Sequence, residues 1–464
     1  STPARSALVR ATFRLRSEAR ALRKLPPDMR GHVLLTNYDE VSSTLIHKLQ
    51  QYQYPCFLLV PELGDALRLH ESGVRVVLGD LDDPDVWKRV RVDQAALVAT
   101  TSSDARNTSV ASTVRGIAQD VRIVGTAGRE ASVDVLELAG CSEVLRLEEI
   151  LGQSFARRTI GGDALAHEIG RFDEVVIAEA MTRRTPLVGK TLRECEVTRQ
   201  VGVTVVGVWE RGSFEPALPD VLIHDNTVLL LAGPQEAIDR YSEEFRTYNV
   251  SDAPVVIIGG GRVGRATGRA LARRGLDYRI VEVLPERVKN RDPEKYVLGD
   301  AADLDVLKRA GILEAPTVIV TTHDDDLNVY LTIYCRRLRP DIQIISRATL
   351  ERNVATLHRG GADIVMSYAG MGASMIMNWL RPGRILMVAE GLDLFRVPVP
   401  PALAGKTIAE SEIRAQTGCT VVGISTAQGM EVVPGPAAQL PGDADVLLIG
   451  TAEAEQRFLE LWGS

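Results

Sequence analysis

The chain has 464 residues, 45% apolar and 25% charged, enough for several cores of roughly 100–150 residues each. A net charge of −7 argues against a nucleic-acid binder, which needs a basic face. The five cysteines (Cys56, Cys141, Cys195, Cys335 and Cys419) form no CxxC or CxxH pair and read as buried thiols of a reducing compartment, not as zinc ligands. No apolar run approaches the roughly 20 residues needed to cross a bilayer, and no signal-peptide pattern opens the chain.

Residues 1–29 are basic, with Arg and Lys alternating with Leu, Val and Phe. The segment reads as a helix to about Leu25, stopped by Pro26-Pro27. Two readings stay open: a solvated helix packed on the first domain, or a juxtamembrane connector whose charges face anionic lipid. The chain opens on Ser rather than Met, and both a preceding segment and a processed terminus account for that.

From His32 the pattern alternates strands and helices through HVLLT, EVSSTLIHKLQQ, PCFLLV and onward to about residue 150. Such alternation predicts a parallel sheet with covered faces over 30–150. A helix with a Gly-Gly break is expected over 151–170, then a smaller lobe of short strands over 171–250, with one helix between 191 and 201 and a closing helix. The pattern then repeats: a second sheet domain over 251–366, a connecting helix over 367–385 and a second small lobe over 386–464. The expected fold class is α/β, with two Rossmann-like parallel-sheet lobes, each followed by a crossover helix and a small α+β lobe.

The repeat is offset by about 220 residues, and its landmarks persist. Gly79-Asp80 matches Gly299-Asp300, Thr100-Thr101 with Asn107 matches Thr321-Thr322 with Asn328, and Gly189-Lys190-Thr191 matches Gly405-Lys406-Thr407. The copies disagree at one loop, where VVIIGGGRVG (255–264) stands opposite VLLTNYDEVS (33–42).

The later copy carries Gly259-x-Gly261-x-x-Gly264 between an apolar strand and a helix, the context this motif needs. Gly259 makes the turn, Gly261 lets backbone approach a pyrophosphate, and Gly264 allows close helix–sheet contact. The helix N-terminus stabilises phosphate, and Arg262 adds a charged donor. Glu282 ends the next strand, where an acid accepts from a ribose 2′-hydroxyl and disfavours a 2′-phosphate. Asp300 ends the third strand at the ligand-facing edge, and Thr321-Thr322 follow the fourth strand near the phosphates. The run Asp324-Asp325-Asp326 reads first as the acidic opening of a helix; as a divalent-cation site it needs further oxygen ligands.

In the earlier copy Asp39 and Glu40 stand where phosphate would come, and Ser42 replaces the last glycine. Dinucleotide binding is not expected there, and Asp39-Glu40 suit a helix cap and first-turn acid. Lys190 and Lys406 follow no GxxxxGK loop, so they are not phosphate-loop lysines; Thr191 and Thr407 are expected near helix caps. No nucleophile with a paired base, no metal triad and no His with an acidic orienter stands out, so no catalytic residue is assigned and an enzyme is not expected. An NAD-dependent oxidoreductase is the alternative from a different class.

These features together resemble tandem RCK proteins, regulators of potassium conductance, also called KTN. The family includes peripheral subunits of bacterial Trk potassium uptake systems and cytosolic rings of prokaryotic potassium channels. The marks are VVIIGGGRVGRATGRAL, Glu282, YVLGDAAD, VIVTTHDDDLNV and GKTIAESEIR, and the resemblance covers about residues 30–464. It implies a ring of eight lobes from four chains at the cytoplasmic face of the cell membrane, with no nucleic acid. Binding of an adenine nucleotide (NAD, NADH, ATP or ADP) or of a divalent cation such as Ca2+ would gate a potassium pore. On this chain the family's nucleotide residues fall on Gly259, Gly261, Arg262, Gly264, Glu282, Asp300 and Thr321. The basic leader favours a pore-tethered ring over a separate Trk-type subunit.

Overall fold

A computed structural model describes residues 22–159, 166–210, 213–245, 251–380, 385–389 and 392–463. Most of the basic leader, residues 1–21, lies outside the described residues. The chain falls into two compact units, one of residues 1–148 with 372–380, the other of residues 149–371 with 381–464.

The first unit holds a six-stranded parallel sheet: β1 (Val33–Leu35), β2 (Cys56–Val60), β3 (Val76–Leu78), β4 (Leu97–Thr100), β5 (Ile123–Thr126) and β6 (Glu143–Leu145). Its order is β3-β2-β1-β4-β5-β6, the doubly wound arrangement whose order reverses beside β1. Almost every residue of these strands is apolar and buried because helices cover both faces. Leu34, Phe57, Leu59, Val98 and the fully buried Trp87 form one core, and Trp87 satisfies its indole N–H on Leu81 O at 2.8 Å. Leu25 plugs into this core, and Leu78 N donates to Leu22 O at 2.8 Å, so the end of the leader is stitched to the edge strand. Residues 372–380 complete the unit, with Arg122 Nη1 donating to Trp379 O at 3.0 Å.

The second unit holds three sheets. Its parallel sheet repeats the first topology in the order β14-β13-β12-β15-β16-β17. The strands are β12 (Val255–Ile258), β13 (Tyr278–Glu282), β14 (Tyr296–Leu298), β15 (Thr317–Val320), β16 (Gln343–Ala348) and β17 (Ile364–Ser367). The small sheets are antiparallel. One runs β10-β9-β11-β8-β7, from β7 (Ala166–Phe172), β8 (Val175–Met181), β9 (Thr204–Glu210), β10 (Ser213–Pro216) and β11 (Val228–Gly233). The other runs β18-β19-β22-β20-β21, from β18 (Ile385–Ala389), β19 (Leu392–Pro398), β20 (Thr420–Thr426), β21 (Gly429–Val432) and β22 (Asp445–Thr451). The inner faces of both small sheets share a core that includes Val175, Ile177 and Leu230 on one side and Leu392, Leu394 and Leu447 on the other.

The expected helix over 151–170 is corrected: helix Leu147–Arg158 ends earlier, and Ala166–Phe172 is a strand. It pairs antiparallel with β8 through a tight turn at Asp173, whose φ is +51°. Cross-strand pairing overrides the helical propensity of LAHEIG there. The single helix expected between 191 and 201 is two short ones, Leu192–Cys195 and Val197–Val201, broken at Glu196 with φ +45°. The later connecting helix is Tyr368–Asn378. Thr191 and Thr407 are N-caps with reciprocal capping boxes to Glu194 and Glu410, as expected.

Helix Leu147–Arg158 lies on the second parallel sheet, its Leu151 and Phe155 packed with Val255, Ile257 and Leu271. Arg158 Nε then meets Glu179 Oε2 of β8 at 2.6 Å, both side chains largely buried. His167 sits beside this pair. Burial, aided by the charges of Arg274, Arg158 and Arg157, pushes it down to about 3. An unfolded histidine titrates near about 6.5, so the unfolded chain binds the proton first and stability is lost as pH falls from there toward 3. Between pH 7 and 5 the loss is about 1–2 kcal/mol. His167→Gln is expected to shrink the acid-induced drop in unfolding midpoint over that range, measured by thermal unfolding; an identical pH profile would contradict this.

Candidate functional site

The glycine loop leaves the carboxyl end of β12, beside β15, where the strand order reverses and open α/β sheets place ligands. Gly259 has φ +106°, a conformation favouring glycine. A Cβ on Gly264 would stand 1.8 Å from Gly259 O, so only a hydrogen lets helix Arg262–Arg273 approach the strand end. Thr321 locks the turn from β15: its hydroxyl donates toward Ile258 O at 3.0 Å and Gly259 O at 3.1 Å. Thr321 is therefore buried beneath the loop and supports it, rather than lying along its outer edge.

Glu282 is 3% exposed at the end of β13, and its carboxylate organises the opposite wall. Oε2 accepts from Gly260 N at 2.9 Å and from Arg287 Nη1 at 3.3 Å, while Oε1 accepts from Leu284 N at 2.9 Å. Arg287 comes from helix Pro285–Val288 and is partly exposed. Arg265 donates to Gly260 O at 2.7 Å. Burial, then the charges of Arg291, Arg269 and Arg287, hold its guanidinium below the usual arginine range. Arg265 and Arg287, with the exposed Arg262 at the first helical position, lie about a helix N-terminus whose N-cap, Gly261, offers no side-chain acceptor. Amide donors, a helix dipole and clustered guanidinium groups are the chemistry of a phosphate seat.

Gly259, Gly261, Gly264, Glu282 and Thr321 thus converge on one loop, with Arg262 opening its helix. Asp300 lies just beyond β14, which pairs with β13 at Glu282↔Leu298. It is exposed, and its Oδ1 accepts from Ala302 N at 2.9 Å. Sequence reasoning did not single out Arg265, which directly follows Gly264, or Arg287, which no motif marks because it reaches the loop only through folding.

The first lobe is built differently at the same place. Asp39 is the N-cap of helix Glu40–Gln51, and its Oδ1 accepts from Ser42 N at 2.7 Å. Asn37 Nδ2 donates to Asp39 Oδ2 at 3.2 Å, and Ser42 Oγ meets Thr101 Oγ1 at 3.2 Å. The loop supplies its own anion. Strand register also pairs Val33 with Cys56 and Val255 with Tyr278, which places Val60 where the second lobe has Glu282. The buried carboxylate of the second lobe is therefore missing here as well, a difference that the sequence comparison did not draw.

The acidic triplet is a cap, as first read. Asp324 accepts from Asp326 N and Leu327 N, and Asp325 accepts from Thr349 N, Leu350 N and Asn353 Nδ2. Among the described residues, no group of three or more His, Cys, Asp or Glu converges as a metal-ligand set. No helix among them is long and apolar enough to cross a membrane.

Comparison with known proteins agrees with this architecture. The TrkA-N domain model matches residues 33–147 and 255–368, and the TrkA-C domain model matches residues 179–246 and 394–463. A crystal structure of the GsuK RCK domain is 34% identical, with a TM-score of 0.69, over 95% of this chain and 97% of that one. The chain belongs to the RCK family. A structure of the GsuK channel bound to NAD is 32% identical, with a TM-score of 0.71, covering 98% of this RCK chain and 83% of that chain. GsuK bound to ADP is 26% identical, with a TM-score of 0.54, covering 78% of this chain and 72% of that one. A probable potassium channel protein of Methanocaldococcus jannaschii is 30% identical over 43% of this chain and 63% of its own length. A Trk system potassium uptake protein TrkA homolog of Pyrococcus abyssi is 30% identical over 44% of this chain and 94% of its own. Each of these two matches about half of this chain, as expected where one chain holds two RCK units.

The 1.8 Å approach at Gly264 gives a direct test. Gly264→Ala must push the helix off the strand end, an overpacking cost of about 1–3 kcal/mol. Its unfolding midpoint is expected several degrees below that of the parent; an unchanged midpoint would contradict the packing described.

Proposed function

We propose that this chain is the ligand-sensing part of a potassium-conducting membrane system, with an adenine nucleotide bound at the glycine loop of the second lobe as its signal. The observation that carries this reading is the contrast between two equivalent helix ends. One is closed by Asp39; the other is open, ringed by arginines and flanked by Glu282. The similar structures described as GsuK bound to NAD and to ADP support the ligand class.

In this reading the first amides of helix Arg262–Arg273 and the guanidinium groups of Arg262, Arg265 and Arg287 receive the phosphates. Glu282 receives the ribose hydroxyls, exchanging its contact with Arg287 for them. A buried carboxylate disfavours a 2′-phosphate, so NADP-type ligands bind less well than NAD-type ones. The groups bonded to the loop bind rather than transfer, and the chain acts as a regulator, not as an enzyme. A divalent cation such as Ca2+ is the second ligand class to test.

Transmission follows from the helix that begins at the loop. Arg269 and Arg273 on that helix hold Glu149 at 2.6 and 3.2 Å, and Gly152 seats helix Leu147–Arg158 against Ala266. Arg158 passes the contact to Glu179 in the first small lobe. A shift of the loop helix on ligand binding therefore moves the crossover helix with it. In a ring of four chains and eight lobes, a tenfold preference of ligand for one geometry gives about 1.4 kcal/mol per site and about 5–6 kcal/mol over four, enough to reverse a gate. The ring would lie at the cytoplasmic face of the membrane, either tethered to its pore or as a separate peripheral subunit of a Trk-type transporter. The match to a GsuK channel over nearly the whole of this chain favours the tethered form.

Two substitutions separate binding from transmission. Glu282→Ala is expected to weaken the affinity for NAD or ADP at least tenfold by calorimetry, and unchanged affinity would overturn the site. Glu149→Gln is expected to keep nucleotide affinity within a few-fold but to reduce the nucleotide response of potassium flux in the assembled system. A full response in that variant would remove the proposed route.

A further inference from the structure

The first lobe has a cavity of about 400 Å³ at the amino end of β2, the edge of the sheet opposite the loop at Asp39. That volume is in the range of small-molecule sites, roughly 300–1,000 Å³. Its floor is apolar, formed by the buried Ile46, Cys56, Leu58 and Val74, and Arg75 stands at its rim.

The second lobe shows what normally fills this place. Register equates Cys56 with Tyr278 (through Val33↔Cys56 and Val255↔Tyr278) and Val76 with Tyr296 (through Leu58↔Val76 and Ile280↔Tyr296). The Tyr278 ring lies so close to Gly268 that a Cβ there would meet it at 2.7 Å, and Tyr296 packs onto the same core. Lys295 lies over the Tyr278 ring at 5.1 Å and is paired with Asp277. In the first lobe both rings are replaced, by Cys56 and Val76, and Ile46 in place of Gly268 restores only part of the volume. The cation is kept as Arg75, but Pro55 stands where its acid would be. No ion pair to Arg75 occurs among the described residues, although its charge acts on the Cys56 thiol below. Burial holds that thiol protonated, at about 12, so the floor is neutral.

We propose that this cavity binds a small amphipathic carboxylate, its apolar body against Cys56 and Leu58 and its carboxylate on Arg75. The feature that points to an anion is a retained cation whose acidic partner has been replaced by proline, beside the place that Tyr278 fills in the second lobe. The first lobe would then sense a different ligand class from the second, through the opposite edge of its sheet.

The test is calorimetric titration of the full chain with octanoate, 1-octanol and octylamine, repeated for Arg75→Gln and for the double variant Ile46→Gly/Cys56→Tyr, which rebuilds the filling of the second lobe. Octanoate is expected to bind saturably at one site per chain, with 1-octanol and octylamine at least tenfold weaker. Arg75→Gln is expected to weaken octanoate at least tenfold, and the double variant to abolish it while leaving NAD and ADP binding unchanged. Because Arg75 is exposed, its substitution leaves the fold intact even if the double variant misfolds. Absence of saturable octanoate binding to the parent, equal binding of 1-octanol, or an Arg75→Gln variant that binds as the parent does would each overturn the proposal.

Discussion

A helix N-terminus leaves its first amides without partners inside the helix, and something must accept from them. In this chain two helices of equal length, Glu40–Gln51 and Arg262–Arg273, begin at the same point of two equivalent sheets and meet this demand differently. The first uses the carboxylate of Asp39; the second has a glycine at its N-cap. A capping carboxylate occupies the position an incoming anion would take and repels it. One residue type at one position thus separates a helix end that its own side chain caps from one that no side chain caps. The rest of each loop follows its cap: Asn37, Ser42 and Thr101 satisfy one, while arginines and Glu282 surround the other.

The open loop needs rigid support, because an uncapped turn with glycines has few side chains of its own to hold it. Thr321 provides that support from one neighbouring strand and Glu282 from the other, each bonded to backbone atoms of the turn. The helix that starts there is held against the sheet by Gly264 and against helix Leu147–Arg158 through Gly152 and Glu149. Leu151 and Phe155 bury into the same cluster as Val263, Ala270 and Leu271 of the loop helix, so the two helices pack as one layer on the sheet. A chain of close contacts therefore runs from the loop to Arg158 and Glu179 without passing through a flexible joint.

Much of this was legible in the amino-acid order. Alternating apolar runs marked the parallel sheets, the glycine spacing with Glu282 marked the loop, and the GKT triplets marked helix caps that the structure closes with Glu194 and Glu410. What escaped was set by contacts distant in sequence. Ala166–Phe172 has a helix-compatible sequence but pairs with β8, so only the partner strand reveals it. Arg287 lies more than twenty residues past the glycine loop and meets it only when β13 aligns beside β12. The exchange of Glu282 for Val60 needed the strand register, because the two copies carry no common motif there. Thr321 was correctly placed at the loop, but the direction of its hydroxyl is decided by the turn carbonyls above it.

The account stands on the difference between Asp39 and Gly261, and one measurement addresses it directly: the calorimetric stoichiometry of NAD and ADP binding to the parent chain and to Gly261→Asp. A Cβ at Gly261 meets only Arg287 Nη1, at 4.0 Å, so the new carboxylate fits without displacing backbone. The predicted result is one nucleotide per parent chain and none for the folded variant, whose own carboxylate caps the helix as Asp39 does. Two nucleotides per parent chain, or unimpaired binding to Gly261→Asp, would contradict it.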